Sequence, residues 1–154
     1  MASCKIVIDG TLPKDFALPR AALRSAAAHF AARSGARAAL AFREVTVVLQ
    51  DDAASAAAHV AIMGVDGATD VITQGYDALP GETPGVYGEL YVNADCARRA
   101  APHRRGWSAA HELLLYVAHG MDHLTGADDH APADYARMRR RELKWIREWE
   151  KLEK

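Results

Sequence analysis

Apolar residues recur along the chain with two different periods, and the change from one period to the other predicts the order of the elements. Residues 4–9 alternate polar and apolar side chains, as a half-buried strand does. Residues 19–33 instead place apolar side chains three and four positions apart, which favours a helix. On this basis the sequence predicts strands at residues 4–9, 43–50, 69–73 and 86–94.

The helices carry their own start and stop signals. Pro19 suits a first helical turn and Gly35 a helix end, while Asp51 can cap a second helix that Gly64 ends. Ser108 caps a later helix in the same way. The helices are predicted at residues 19–33, 52–63, 95–101, 108–126 and 132–150. Strands interleaved with helices in this order predict an α+β fold, in which a small mixed four-stranded sheet packs with about five helices.

The helix predicted from Ser108 carries two histidines four residues apart. His119 and His123 therefore project from the same face, one turn from each other, and can share one ion. After Gly126 the chain can fold back and offer a third ligand from Asp129 or His130. Three protein ligands and one open position are typical of a catalytic zinc, whereas a structural zinc has four protein ligands. The pattern predicts a zincin-like metal helix and a metal-dependent hydrolase.

The third ligand has two candidates. Zincin-like sites place it ten residues after the first histidine, and that count from His119 reaches Asp129. His130 is one residue out of register, so it is either the ligand after a one-residue insertion or a partner of the ligands. Protease zincins also carry a glutamate directly after the first histidine, as the general base. Gly120 stands at that position, which argues against a peptidase.

The segment 119–130, with the sequence HGMDHLTGADDH, resembles the His-Gly-x-x-His-Leu-x-Gly-Tyr-Asp-His signature of the YbeY endoribonucleases. Residues 88–92 fit the Gly-(Asp/Glu)-hydrophobic strand of that family. Residues 68–73 are similar to its Pro-Thr-(Asp/Asn)-Val-Leu-Ser-Phe element, and residues 112–113 stand where it has Glu-Leu. The likeness therefore covers most of the chain in the order of the family.

The resemblance implies a cytoplasmic, zinc-dependent and single-strand-specific endoribonuclease. Such an enzyme would act in 16S ribosomal RNA 3′-end maturation and in ribosome quality control, with ribosomal RNA and the small ribosomal subunit as partners. One zinc per chain is expected, and nickel remains open because it accepts the same ligands. Asp128 and Glu112 are the candidate catalytic residues, as acceptors of a proton from metal-bound water. Asp128 ranks first because it follows the helix next to the ligands, while Asp122 turns partly away.

Two positions depart from the family pattern on the RNA-facing side. Met63 stands where the family carries a functionally important arginine, and Ala127 replaces the tyrosine of the metal signature. A guanidinium can hold an RNA phosphate through two hydrogen bonds, and a thioether cannot. Two alternatives therefore stay open, a catalytically weakened ribosome-associated metal-binding homologue and a zinc hydrolase of another small substrate.

Charge decides where RNA contacts can lie. The formal net charge is −1, so any RNA contact has to come from a local basic patch. The patch predicted to bind RNA precedes the metal helix and has no acids close by in sequence; it consists of Arg98, Arg99, Arg104 and Arg105. The basic residues of the last helix are instead predicted to form a solvated face, paired with acids such as Glu142.

Composition otherwise changes the picture little. With 154 residues, half of them hydrophobic, the chain is predicted to form one domain over residues 1–154. Cys4 and Cys96 lie far apart and fit reduced thiols of a cytoplasmic protein. No apolar run is long enough for a membrane span, so no membrane partner is predicted. The oligomeric state is left open by the sequence.

Overall fold

The computed structural model describes residues 3–154, so the first two residues of the predicted domain lie outside this description. The strands are β1 (Lys5–Asp9), β2 (Phe42–Gln50), β3 (Val71–Tyr76) and β4 (Val86–Asn93). The helices are α1 (Arg20–Ala38), α2 (Asp52–Met63), α3 (Ala94–Ala100), α4 (Ala109–Leu124) and α5 (Pro132–Leu152). These elements confirm the predicted α+β class with a four-stranded sheet and five helices.

The sheet is mixed, with strand order β1-β2-β4-β3. β1, β2 and β4 run parallel, and β3 pairs antiparallel with β4 as the edge strand. Val45 and Val47 of β2 and Leu90 and Val92 of β4 are fully buried. Helix α4 packs against β3, β4, α1, α3 and α5, so it lies at the centre of the fold. Its position fixes where the two histidines are held.

Two glycines let α4 approach the sheet closely. A Cβ atom on Gly120 would lie 2.7 Å from Cδ2 of Leu90, and one on Gly88 would lie 2.6 Å from Cδ2 of Leu124. Real Cβ atoms do not come this close, so a larger side chain at Gly120 or Gly88 would require Leu90 or Leu124 to move. The two glycines therefore leave room for these leucines between α4 and β4.

The predicted bounds differ from the observed ones mainly at glycines. The predicted end of the third strand at Thr73 is wrong, because Gly75 pairs with Gly88 inside the sheet and β3 continues to Tyr76. The first helix does not end at Gly35. A Cβ at Gly35 would meet the carbonyl oxygen of Leu40 at 2.6 Å, so this glycine serves a close contact inside a longer helix. The prediction that Asp51 caps α2 is confirmed, since its side chain accepts a hydrogen bond from the backbone of Ala54.

Within residues 3–154, no helix has both the length and the apolar character that crossing a membrane requires.

Candidate metal centre

Helix α4 delivers the two histidines from its last two turns. Ser108 caps its start by accepting a hydrogen bond from the backbone of His111 at 3.1 Å. The helix ends at Leu124, and Gly126, with φ +86°, lets the chain turn back. The backbone N–H of Ala127 then donates to the carbonyl of Asp122 at 3.3 Å. This turn brings the following residues back beside the histidines.

Three side-chain atoms converge at this turn. The Nε2 atoms of His119 and His123 lie 2.9 Å apart, and Oδ2 of Asp129 lies 3.3 Å from the first and 3.4 Å from the second. Ligand atoms of a tetrahedral zinc, with bonds of about 2.0–2.1 Å, are separated by roughly 3.3 Å. The two separations to Asp129 match the edge of a zinc tetrahedron, and the separation between the two nitrogens is somewhat shorter. Among the described residues this group consists of three possible ligands.

The hydrogen bonds on the far sides of the rings fix the tautomers of both histidines. Nδ1 of His119 lies 2.7 Å from Oε2 of Glu142, and Nδ1 of His123 lies 3.0 Å from the carbonyl oxygen of Ala127. A carboxylate and a carbonyl only accept, so each Nδ1 carries the proton and donates it. When the rings are neutral, as ligand histidines have to be, each Nε2 atom presents a lone pair to the other ring, next to the carboxylate oxygen of Asp129. A cation is the group that such an arrangement of electron-rich atoms fits.

Glu142 is the site residue that the sequence interpretation missed. It was expected on the solvated face of the last helix, but its side chain is fully buried in α5. Burial lowers the pKa of His119, yet the hydrogen bond and charge of Glu142, together with the charge of Asp129, outweigh this effect and the net pKa is raised. Its spacing from Met138 and Trp145 places Glu142 in the apolar stripe of α5, and a carboxylate in such a stripe is the signal that could have revealed it.

The structure separates the two candidates for the third ligand. Asp129 lies with the histidines, whereas the His130 side chain is 92% exposed and contacts Asp128 instead. Asp128 also accepts the backbone N–H of His130 at 2.9 Å. That hydrogen bond, followed by the one from the His130 ring, lowers the pKa of the Asp128 carboxyl. Asp128 thus stands beside the site but with its carboxylate engaged by His130.

Neither Glu112 nor Asp122 reaches the histidine pair. Glu112 is buried in the first turn of α4 and accepts a hydrogen bond from the Trp107 indole at 2.8 Å. It precedes His119 by seven residues, which is about 10 Å along a helix. The catalytic role of Glu112 therefore stays a prediction, and the contact that the structure shows for this side chain is the one with Trp107. Asp122 is fully buried and accepts from Arg141 at 2.7 Å, on another side of the helix.

The arginines predicted to bind RNA lie at the other end of α4. They belong to α3 and the turn that follows it, next to the start of α4, whereas His119 lies ten residues further on, about 15 Å along the helix. Arg98 pairs with Asp15, and Arg99 donates to both carboxylate oxygens of Asp52, at 2.6 and 2.9 Å. Acids from distant segments therefore pair with two members of this group. Arg104 and Arg105 lie in the same region, in the turn after α3. The structure therefore brings none of the four arginines to the histidine pair.

Met63, the position where the sequence comparison predicts a family arginine, is the last residue of α2. Its side chain is 58% exposed. Helix α2 packs against β4, β2 and α3. A larger, charged side chain at this position would therefore meet solvent and not the core.

Comparisons with known proteins identify a family for this chain. The family model described as Endoribonuclease YbeY matches residues 14–150. An Endoribonuclease YbeY from Anaeromyxobacter sp. (strain Fw109-5) is 38% identical over 105 residues, which are 68% of this chain and 53% of that protein. One from Deinococcus radiodurans is 36% identical over 115 residues, or 71% of this chain and 65% of that protein. The matched part thus spans about half to two thirds of the length of these curated relatives.

A solved structure shows the same fold. The solution structure of a protein from Thermotoga maritima superimposes with a TM-score of 0.58 at 18% identity, covering 96% of this chain and 92% of the other. At this identity the likeness concerns the fold alone. The family match is the stronger finding, because it extends over most of the chain and includes the histidine helix and the Asp129 turn. This chain belongs to the Endoribonuclease YbeY family.

Proposed function

We propose that this chain is a zinc-dependent endoribonuclease specific for single-stranded RNA, acting in 16S ribosomal RNA 3′-end maturation and ribosome quality control. It would act in the cytoplasm, as one domain, on RNA of the small ribosomal subunit. The observation that carries the proposal is the convergence of His119, His123 and Asp129, with the two Nε2 atoms 2.9 Å apart. Family membership supports the choice of RNA as the substrate.

The roles of the residues follow from their contacts. His119, His123 and Asp129 would hold the ion, and Glu142 fixes the ring of His119 with Nε2 directed at it. When bound, zinc supplies an acidified water and positive charge beside the phosphate. Asp128 remains the proposed proton acceptor, since it adjoins Asp129 in the same turn. Nickel is the alternative metal, because it accepts the same donors.

A nuclease assay on purified protein of known metal content tests this proposal. Zinc-loaded and nickel-loaded protein would be compared on single-stranded and fully paired RNA, with the double variant His119→Ala/His123→Ala as the control. We expect metal-dependent cleavage of the single-stranded RNA only, and shortened 3′ ends when precursor small subunits are the substrate. Wild-type protein that holds zinc yet cleaves no more than the double variant would contradict the nuclease assignment.

A catalytically weakened homologue is the second candidate, and the exposed Met63 favours it. If a phosphate contact was lost with the arginine, Met63→Arg should increase RNA cleavage or binding. A charge-assisted hydrogen bond stabilises by roughly 1.5–3 kcal/mol, and at this exposed position we expect the lower end of that range, a gain of about tenfold or slightly more. Initial cleavage rates and RNA affinities of the two proteins measure this, with Val60→Arg, exposed on the same helix, as the charge-matched control. An equal gain in both variants would show a general effect of charge.

Glu142→Gln tests whether Glu142 orients the proposed metal ligand His119. The amide keeps the size of the side chain but loses the charge that orients His119, and loss of such a partner typically weakens metal binding by about 10- to 100-fold. Competition with a coloured chelator measures the zinc affinity. Glu150→Gln is the matched control, because Glu150 lies on the same helix and contacts His111, outside the site. Equal zinc affinity in all three proteins would remove Glu142 from the site.

A further inference from the structure

Asp122, near the end of α4, anchors two arginines. Its carboxylate is fully buried and accepts a hydrogen bond from Nε of Arg141 at 2.7 Å, and Nη2 of Arg141 lies 2.6 Å from the same oxygen. Arg37, near the end of α1, contacts the same carboxylate at 3.2 Å and donates to the hydroxyl of Thr125 at 2.8 Å. Ser34 completes the group through its hydroxyl, 3.4 Å from Asp122. Both guanidiniums are held by one buried acid.

These arginines line an open cavity of about 210 Å³ between α5, the end of α1 and the turn after α4. Ala127 and Asp128 form the wall on the side of the turn. Asp129, the next residue in the chain, belongs to the proposed metal centre. One turn of the chain thus separates the cavity from the proposed metal site.

The two guanidiniums outnumber the single acid that holds them, while the cavity as a whole, with Arg137, Asp134 and Asp128 in its wall, carries equal numbers of arginines and carboxylates. Two guanidiniums share the single carboxylate of Asp122, while Arg137 pairs with Asp134 and Asp128 pairs with His130. Among the described residues, Nη1 of Arg37 and Nη1 of Arg141 have no hydrogen-bond partner. Arg37 is also 36% exposed. The pair therefore retains both charge and donors for an anion that enters from solvent.

We propose that Arg37 and Arg141 form a phosphate-binding subsite for the backbone of the single-stranded RNA that reaches the metal centre, a proposal that rests on the function proposed above. The planar, fixed guanidiniums suit a phosphodiester, which offers two oxygens to paired donors. Asp122 acts as a positioning residue, because it holds both side chains at the cavity wall. The subsite supplies an anchor for the RNA backbone in a chain that carries Met63 in place of the family arginine.

The first test removes one exposed member of the subsite. Arg37→Gln is expected to weaken binding of a fluorescein-labelled, 2′-O-methyl single-stranded RNA to the zinc-loaded protein by about tenfold. The slope of log affinity against log salt concentration should fall by about 0.7, the value for one phosphate contact on a single strand. Arg33→Gln is the control, since Arg33 lies one turn earlier on α1 and pairs with Glu148 away from the cavity. Its affinity should remain near that of the wild type.

The second test keeps the charge and the fold. Removing the cation at position 141 would leave Asp122 buried with a single partner, so Arg141→Lys is the informative change. Lysine preserves the ion pair but lacks the planar fork, and we expect affinity for the RNA to fall several-fold with unchanged zinc content. Arg140→Lys, at the exposed neighbouring position, is the control and should bind as the wild type does.

The binding test does not depend on cleavage, because a gel shows whether the RNA probe stays intact. Its outcomes therefore distinguish a failure of the subsite from a failure of the nuclease assignment. Weaker binding by Arg37→Gln and Arg141→Lys, with normal binding by both controls, supports the subsite. Equal affinities in all variants, or equal losses in the controls, overturn it. A wild type that binds this RNA but cleaves no RNA contradicts the proposed function, and the same binding comparisons still decide on the subsite.

Discussion

Replacing His119 or His123 with alanine is expected to abolish tight metal binding and to reduce RNA cleavage to the level of the metal-free protein. Each ring supplies one of three donors, and their Nε2 atoms lie 2.9 Å apart, so one cannot substitute for the other. The loss of affinity should exceed the roughly 10- to 100-fold that loss of a supporting residue causes. Elemental analysis should give about one divalent ion per wild-type chain. His103→Ala, outside the site, is the control.

The same ion should be released on acidification. A ligand histidine has to be neutral, and protons compete with the metal for its nitrogen. Burial lowers the pKa of His119, but Glu142 and Asp129 raise it further, so the protonated ring is favoured at a higher pH than usual. Affinity should therefore fall as the pH decreases, with release below about pH 6. Protein that is metal-free at neutral pH, after expression with zinc supplied, would contradict a metal centre.

The sequence was sufficient for features that local rules determine. The order of strands and helices follows from the two hydrophobic periods, and the Asp51 cap follows from the side chain that satisfies a helix start. The pairing of His119 with His123 follows from helical geometry alone. Ten-residue spacing after the first histidine indicated Asp129, and the structure brings Asp129 to the pair. Each of these inferences needed information from one short segment.

Features that depend on distant segments were missed or misplaced. Gly75 resembles a strand end by itself, yet pairing with Gly88 under Leu124 keeps it inside the sheet. Glu142 reaches His119 only because α5 packs on α4. In the same way, Arg98 is neutralised by Asp15, an acid 83 residues away in sequence. Hydrophobic periods and cap residues do not show which helices pack against each other.

Asp129→Ala should weaken metal binding about as strongly as loss of a histidine, whereas His130→Ala should leave it close to the wild-type value. The reason is the position of each side chain. The Asp129 carboxylate lies 3.3 and 3.4 Å from the two Nε2 atoms, while His130 is almost fully exposed and contacts Asp128. Zinc affinity and elemental analysis of both variants at neutral pH measure the difference.

Asp129→Asn refines this comparison, because the amide keeps the shape of the side chain but is a neutral and much weaker zinc ligand than a carboxylate. If Asp129 ligates through its carboxylate, Asp129→Asn should lose most of the affinity that Asp129→Ala loses. The thermal unfolding of the metal-free variants serves as the control for the fold, since Asp129 lies in a surface turn and should affect stability little. The opposite ranking, with His130→Ala losing the metal and both Asp129 variants keeping it, would show that the turn rearranges on metal binding. His130 would then be the third ligand, and the turn would carry the one-residue insertion that the sequence left open.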